Sequence, residues 1–480
     1  MKFNKFFASS IIICTLLILQ SSCKKLDENP RGFAAPENFY TTAGQIEAVF
    51  AATMNKTWDE WANVGYSYGW QYFKHDDQIT GGDLNIPSNH ARDVWYGHYY
   101  GVVNLNGAIR ALKAGKVQGI SATELDQLMG QAKFLRAWSY FMLVRLWGDL
   151  PLYTDLIADP AINPIARTPV AGVYELIVAD FVEAAAKLPV AWPADKKGRP
   201  TVNAANGLLA KAYLTMATAP LNSIQNYAKA AEAAKKVIDG GRHSLSPNID
   251  DVFKSANKYS SEMIWSWNST YNDLSTNPQI WAPGELKGWS DFLVDPRFEQ
   301  LWPDQPRKAA FLLTDLAGKH YTTWASKRPA NRKWLPPNIP QSDYDSYAPS
   351  VNCPIIRYAD VLLIYAEAAN MANGSPTQAA CDAINQVINR ANGNVVRVKH
   401  PLMTTVNTKV DFDNRVINER SWELCFEYDR WFDLVRKRIL DVNSPDYISN
   451  FSPNDYLFPI PLEDIRINPL LTQNSGYPKP

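Results

Sequence analysis

The sequence predicts an all-α fold in which paired helices carry long irregular loops. Three observations predict it. In QLMGQAKFLRAWSYFMLVRLWGDLPL, Leu128, Ala132, Leu135, Tyr140, Leu143 and Leu146 recur at helical steps until Gly148 and Pro151, which reads as one long, largely buried helix. Two Ala-rich amphipathic segments, AANGLLAKAYLTMATAP and NYAKAAEAAKKVIDGG, follow each other with a short connection and predict an antiparallel hairpin, the unit of tetratricopeptide-type arrays. From about Ser255 to Ser350 the texture changes. Pro283, Pro296, Pro303, Pro306, Pro329, Pro336, Pro337, Pro340 and Pro349 break any long helix, and seven tryptophans are interleaved with polar residues.

The chain begins with a leader. Lys2 and Lys5 form a positive n-region, Phe6 to Leu19 is an apolar run too short to span a bilayer, and LQSSC puts small residues before Cys23. This resembles a lipoprotein signal peptide, residues 1–22, in whose pattern Cys23 is lipidated. Residues 23–40, polar and broken by Pro30 and Pro36, read as an extended tether. The body is read as 41–240, with the helix pairs, and 241–480, with the aromatic loops, together forming one compact unit. The first helical stop is Gly148, the second Pro220 and the third Gly240, taken as a C′ glycine. Helices resume with RYADVLLIYAEAANMA and CDAINQVINRANG, and the tail YLFPIPLEDIRINPLLTQNSGYP is expected to be extended because of its prolines. No clean 34-residue repeat is visible, so the pattern by itself supports hairpins rather than a regular solenoid.

Composition excludes several functions. With 48 basic and 48 acidic residues, no long-range field favours nucleic acid or anionic lipid, and losing the leader leaves two more acidic than basic residues. No GxSxG elbow, phosphate loop, GxGxxG fingerprint or HExxH motif is present, and no cofactor is expected. Cys353, Cys381 and Cys425 have neither disulfide-framework nor zinc spacing and read as buried thiols.

The block ERSWELCFEYDRWFDLVRKR, Glu419 to Arg438, carries five acidic and five basic residues. Glu419, Glu423 and Glu427 would share one face of an unbroken helix, and an α/α-barrel glycosidase needs a pair of carboxylates. Local spacing instead offers ion pairs: Arg420 with Glu423, Glu427 with Arg430, and Asp433 with Arg436 and Lys437. Carboxylates neutralised in this way make poor general acids, so the block reads as scaffold.

Six blocks in this order resemble the SusD/RagB family of outer-membrane lipoproteins found beside TonB-dependent transporters. They are LDENP, KFLRAWSYFMLVRLWGDLPL, GRPTVNAANGLLAKAYL, RYADVLLIYAEAAN, INERSWELCFEYDRWFDLVRKR and LFPIPLEDIRINPLLTQNSGY. Within the charged block Tyr428 stands where family members often carry Gly, which points to a different local turn. The resemblance implies a tetratricopeptide-like body with a loop-built ligand surface. It further implies a non-enzymatic protein at the cell surface that binds a glycan or other large nutrient and passes it to a SusC-like TonB-dependent transporter.

Two aromatic regions are candidates for that surface. A sugar ring has an apolar C–H face and a rim of hydroxyls, so aromatic faces flanked by polar side chains complement it. In the first region the residues from Tyr72 onward, with His75, Asp76, Asp77, Asp83 and Asn85, are favoured over Trp58 and Trp61, which fit the core face of a helix. The same oxygens could hold calcium, although the spacing is not that of an EF-hand, and no metal is assigned. In the second region Trp265, Trp267 and Tyr271 lie on a short strand with the two tryptophans on one face, while Trp281, Trp289 and Trp324 read as loop-borne platforms. About half of these are expected to touch ligand, the rest packing the loops. A peptide-binding scaffold remains an alternative, since helical-repeat grooves also take peptides.

Overall fold

A computed structural model describes residues 39–69, 89–154, 164–269, 278–345, 351–440 and 453–479. Helices α1 (Ala43–Gly69) and α2 (Asn89–Lys113) pack together, as do α3 (Ala122–Trp147) and α4 (Val170–Lys187), then α5 (Val202–Ala217) and α6 (Asn226–Asp239). Each pair also packs on the next, α2 on α3 and α4 on α5. More than a hundred residues later, α7 (Tyr358–Asn373) packs on α6, with α8 (Gln378–Ala391) and α9 (Lys409–Glu423) on its other sides. The array of helix pairs therefore continues past the irregular region as though that region were an insertion.

Helix α3 shows why the sequence folds this way. Ser121 caps its start by accepting from Glu124 N, and Gly148 ends it at φ +74°, where a side chain would be strained. From Leu128 to Trp147 every residue but Arg145 is buried, as befits a helix with neighbours on all sides. Its two buried cations are answered by Asp180 of α4: Lys133 Nζ donates at 2.7 Å and Arg136 Nε at 2.7 Å. At α6 the expected stop is displaced by one residue. Gly240 stays right-handed at φ −62°, and Gly241 takes the left-handed turn at φ +62°.

The irregular region has its own means of attachment. Strand β1 (Met263–Trp267) pairs antiparallel with β2 (Cys353–Arg357), which leads directly into α7. Among the described residues from 255 to 345 no helix exceeds six residues, and aromatic packing takes the place of regular structure. Trp265 meets Phe134 and Trp138 edge-on, with centroids 4.6 and 5.2 Å apart, and Trp267 meets Trp138 and Trp58, both at 5.3 Å. Such contacts each add about 0.5–1.5 kcal/mol to the area they bury. A satellite core of Leu293, Tyr321, Trp324 and Ala330 sits apart from the main one. The tail is less extended than its prolines predict, because Leu462–Ile467 forms a short helix after Pro461, a position that costs proline no hydrogen bond. Cys353, Cys381 and Cys425 are buried free thiols.

The charged block is two helices, not one. Helix α9 ends at Glu423, α10 (Arg430–Lys437) starts seven residues on, and between them Phe426 and Tyr428 both adopt left-handed φ, +63° and +66°. Glycine would take the second of these conformations without strain, which is the physical sense of the glycine that the family resemblance leads one to expect at Tyr428.

Candidate ligand groove

A cavity of about 750 Å³ opens between the first half of α1, Tyr100 of α2, Gln131 and Leu135 of α3, the 197–200 turn, and Trp265 and Asn268 at β1. A second cavity of about 260 Å³ shares Lys197, Gly198, Arg199, Trp265 and Asn268 and continues past Trp192 to Arg242, Lys258 and Tyr259. Together they form one groove.

The turn at its centre is read directly from the sequence GRPT. Gly198 sits at φ +91°, and a Cβ there would lie 2.3 Å from the Asn268 amide, so both conformation and space require glycine. Asn268 Nδ2 donates to Gly198 O at 3.0 Å, and its Oδ1 accepts from Asn352 at 3.1 Å, which fixes the amide on the groove wall. Arg199 donates to Glu47 on α1, and that bond, against burial, holds the Glu47 carboxyl below its ordinary value. Trp192 Nε1 donates to Pro200 O at 2.8 Å, and Thr201 caps α5 by accepting from Ala204 N. On the second lobe His243 Nδ1 lies 2.9 Å from Ser261 O, and Lys258 donates to Ser269 O at 3.1 Å. Burial lowers the His243 pKa, which favours the neutral ring. The lining thus offers Tyr100, Trp192 and Tyr259 as rings with amides and charged groups between them, the complement of a sugar.

The carboxylates of the charged block are elsewhere and are occupied. Glu423 is fully buried and pairs with Arg307 at 2.9 Å, Arg357 at 2.8 Å and Arg390 at 2.6 Å. Glu419 pairs with Arg307, Arg415 and His400, and Glu427 with Arg357 and Lys333. Burial alone would raise Glu419 and Glu423, but the arginines prevail: Glu419 is lowered to about 2 and Glu423 lies well below the carboxylate range. The local pairs expected from helical spacing are mostly not formed. Arg420 turns to Asp360 at 2.6 Å and Asp433 at 2.7 Å rather than to Glu423, and of those expectations Asp433 with Arg436 is made, at 2.8 Å. The reason is that Glu423 and Arg420, both on α9, face different neighbours, and the break after Glu423 ends the helical spacing assumed for Glu427 and Arg430, so the block divides between two sets of partners. One half bolts the irregular region to the body through Arg307, Lys333 and Arg357. The other ties α7, α9 and α10 together through Asp360, Arg420, Asp433, Arg436 and Glu367.

With this geometry in view, a family model described as "SusD family" matches residues 317–477, and one described as "Starch-binding associating with outer membrane" matches residues 36–214. A SusD-like protein of Formosa agariphila is 28% identical, over 97% of this chain and 99% of its own. The chain belongs to the SusD/RagB family. Its fold is that of solved SusD structures. A SusD homolog from Bacteroides thetaiotaomicron superposes with a TM-score of 0.79 at 21% identity, over 92% of this chain and 98% of that one. A laminarin-binding SusD-like protein gives 0.73 at 21% identity, over 91% and 100%.

In this SusD-like chain the aromatic candidates divide sharply. Trp265, Trp267, Trp281 and Trp324 are only 1–3% exposed and pack in the core. The physical reason is that a region poor in regular structure builds its core from its largest side chains: Trp281 packs on Phe292, and Trp324 on the satellite cluster while its Nε1 donates to Lys319 O. Of these, Trp265 also lines both lobes of the groove. Trp289 is exposed, at 57%. Tyr72, His75, Asp76, Asp77, Asp83, Asn85 and Tyr271 lie outside the described residues, as does Cys23. Apart from Trp265, the groove residues escaped the sequence reading, because they come from six separated segments. The GRPT turn, with its glycine, arginine and N-cap threonine in succession, was the one local signal.

Proposed function

We propose that this protein is a lipid-anchored cell-surface glycan-binding protein that captures an oligosaccharide or polysaccharide and passes it, uncleaved, to a TonB-dependent transporter. The observation that carries the reading is the division of labour between groove and charged block. The groove has aromatic faces, fixed amides and one carboxylate among its described lining residues, Glu47, which is paired with Arg199. A glycosidase needs two carboxylates about 5–9.5 Å apart across the scissile bond, one of them with a raised pKa. Glu419, Glu423, Glu427 and Asp433 are buried and paired with arginines, and Asp429 is paired with Lys211, so the all-helical hydrolase reading loses its centre. Family membership supports the outer-membrane setting, and the laminarin-binding neighbour supports a glycan as ligand. Trp289, Tyr72, His75, Asp76, Asp77, Asp83, Asn85 and Tyr271 are further contacts in this proposal.

Calorimetric titration of the purified protein with polysaccharides, oligosaccharides and peptides tests it, with new reducing ends measured in the same samples. Glycan binding without cleavage is expected. Binding confined to peptides, or release of reducing ends, overturns the reading. For the anchor, Cys23→Ala is expected to leave the membrane fraction, and retention there would remove the lipid from the account.

A further inference from the structure

We propose that the groove selects an anionic glycan, one bearing carboxylate or sulfate groups. The inference rests on the glycan-binding reading above and names the class of sugar. Lys56, Lys197, Arg199, Arg242 and Lys258 line the two lobes, against Glu47 as the carboxylate among the described lining residues. The chain as a whole has equal numbers of basic and acidic residues, so five to one is a local concentration of charge. Glu47 is moreover spent internally, since it accepts from Arg199 and lies 3.6 Å from Lys196. Lys197 and Arg242 are exposed, and neither forms an ion pair among the described residues.

The two cations belong to different walls. Lys197 follows the short 3-10 turn Ala194–Lys196, and Arg242 follows the left-handed Gly241 after α6. Both lobes meet at Gly198 and Asn268, whose amide is held by Asn352, so the charges flank a rigid centre rather than a mobile tip. A guanidinium offers paired donors that match a carboxylate or sulfate, and a lysine adds a point charge. A neutral glycan can accept hydrogen bonds from these groups but gains no charge–charge attraction from the surplus. A cleft lined by one sign also speeds capture of an oppositely charged ligand, and does so less as salt rises.

The test is affinity of the intact chain for four probes at low and high salt: oligogalacturonate, dextran sulfate, laminarin and malto-oligosaccharides. The same titrations are made with the double reversal Lys197→Glu, Arg242→Glu, and the urea midpoint of the variant shows that it folds. Expected is binding to an anionic probe at least about tenfold tighter than to any neutral one, weakening with salt, and a loss of about tenfold or more in the folded variant. The carboxylated and sulfated arms tell which anion is preferred. Neutral probes bound as tightly as anionic ones overturn the inference while leaving the glycan reading intact. Anionic binding that survives the double reversal overturns the assignment to this groove. No binding to any glycan removes both.

Discussion

The charged block is scaffold, and Glu423→Gln tests that with a magnitude. Glu423 is fully buried, and its carboxylate faces three guanidiniums, those of Arg307, Arg357 and Arg390, none more than 4% exposed. The surrounding cluster sets Glu262, Glu419, Glu423 and Glu427 against these arginines and Lys333. Glutamine keeps one acceptor, removes the charge, and turns an amide N–H toward cations. Leaving a buried charge without its partner costs about 3–5 kcal/mol, so equilibrium urea unfolding followed by tryptophan fluorescence should show a loss of that size. Glu232→Gln is the control, since Glu232 and Lys236 form an i,i+4 pair on the surface, 70% and 56% exposed, and its loss should be within error. A Glu423→Gln protein as stable as the parent would refute the scaffold account. So would a variant of unchanged stability that loses a hydrolytic activity.

Further outcomes follow from other positions. His98 is buried against Trp138, neither ring nitrogen has a partner among the described residues, and burial followed by the charge of Arg145 lowers its pKa to about 3. Its folded pKa is depressed below the unfolded 6.5, so its contribution is present above that value and lost as pH falls. His98→Phe should therefore flatten the stability profile between pH 6.5 and 5 by about 1.4 kcal/mol per pH unit, and an unaltered slope would show that the ring titrates freely. Glu419 and Asp360, both lowered to about 2, should add a second loss as pH falls below about 4.5 toward 2, visible as a steeper acid limb in the parent protein. Tyr428→Gly should relieve about 1–2 kcal/mol of left-handed strain but forfeit a ring that is 7% exposed, for a net loss of about 2 kcal/mol in urea; a gain would mean the ring packs poorly. Trp289→Ala, at 57% exposure, should leave the urea midpoint unchanged and weaken polysaccharide binding several-fold. Equal affinity would remove Trp289 from the ligand surface.

Much of the helical body was legible because its signals are local. The run from Leu128 to Leu146, ended by Gly148, and the Ala-rich segments that became α5 and α6 need only neighbours in sequence to be recognised. Gly240 illustrates the precision available: two glycines in a row mark the stop, but which one takes positive φ depends on packing beyond them. The partners of the charged block were not legible, because Arg307 and Arg357 stand 116 and 66 residues from Glu423, and periodicity carries no information at that range. Exposure of the tryptophans was hidden for a related reason. Residue type says that an aromatic buries area or grips a ligand, and only the assembled loops decide which, as Trp281 and Trp289 show from opposite sides of one short turn. The groove required α1, α2, α3, the 197–200 turn and β1 to meet, a fact of tertiary structure alone.

The place where a sugar binds is the most direct test. A crystal structure of the protein with an oligosaccharide that calorimetry shows to bind should reveal an intact glycan in the groove between Tyr100 and Tyr259, with its polar groups on Arg199 and Asn268. An ordered sugar elsewhere with that groove empty, or a cleaved glycosidic bond within it, would contradict the account.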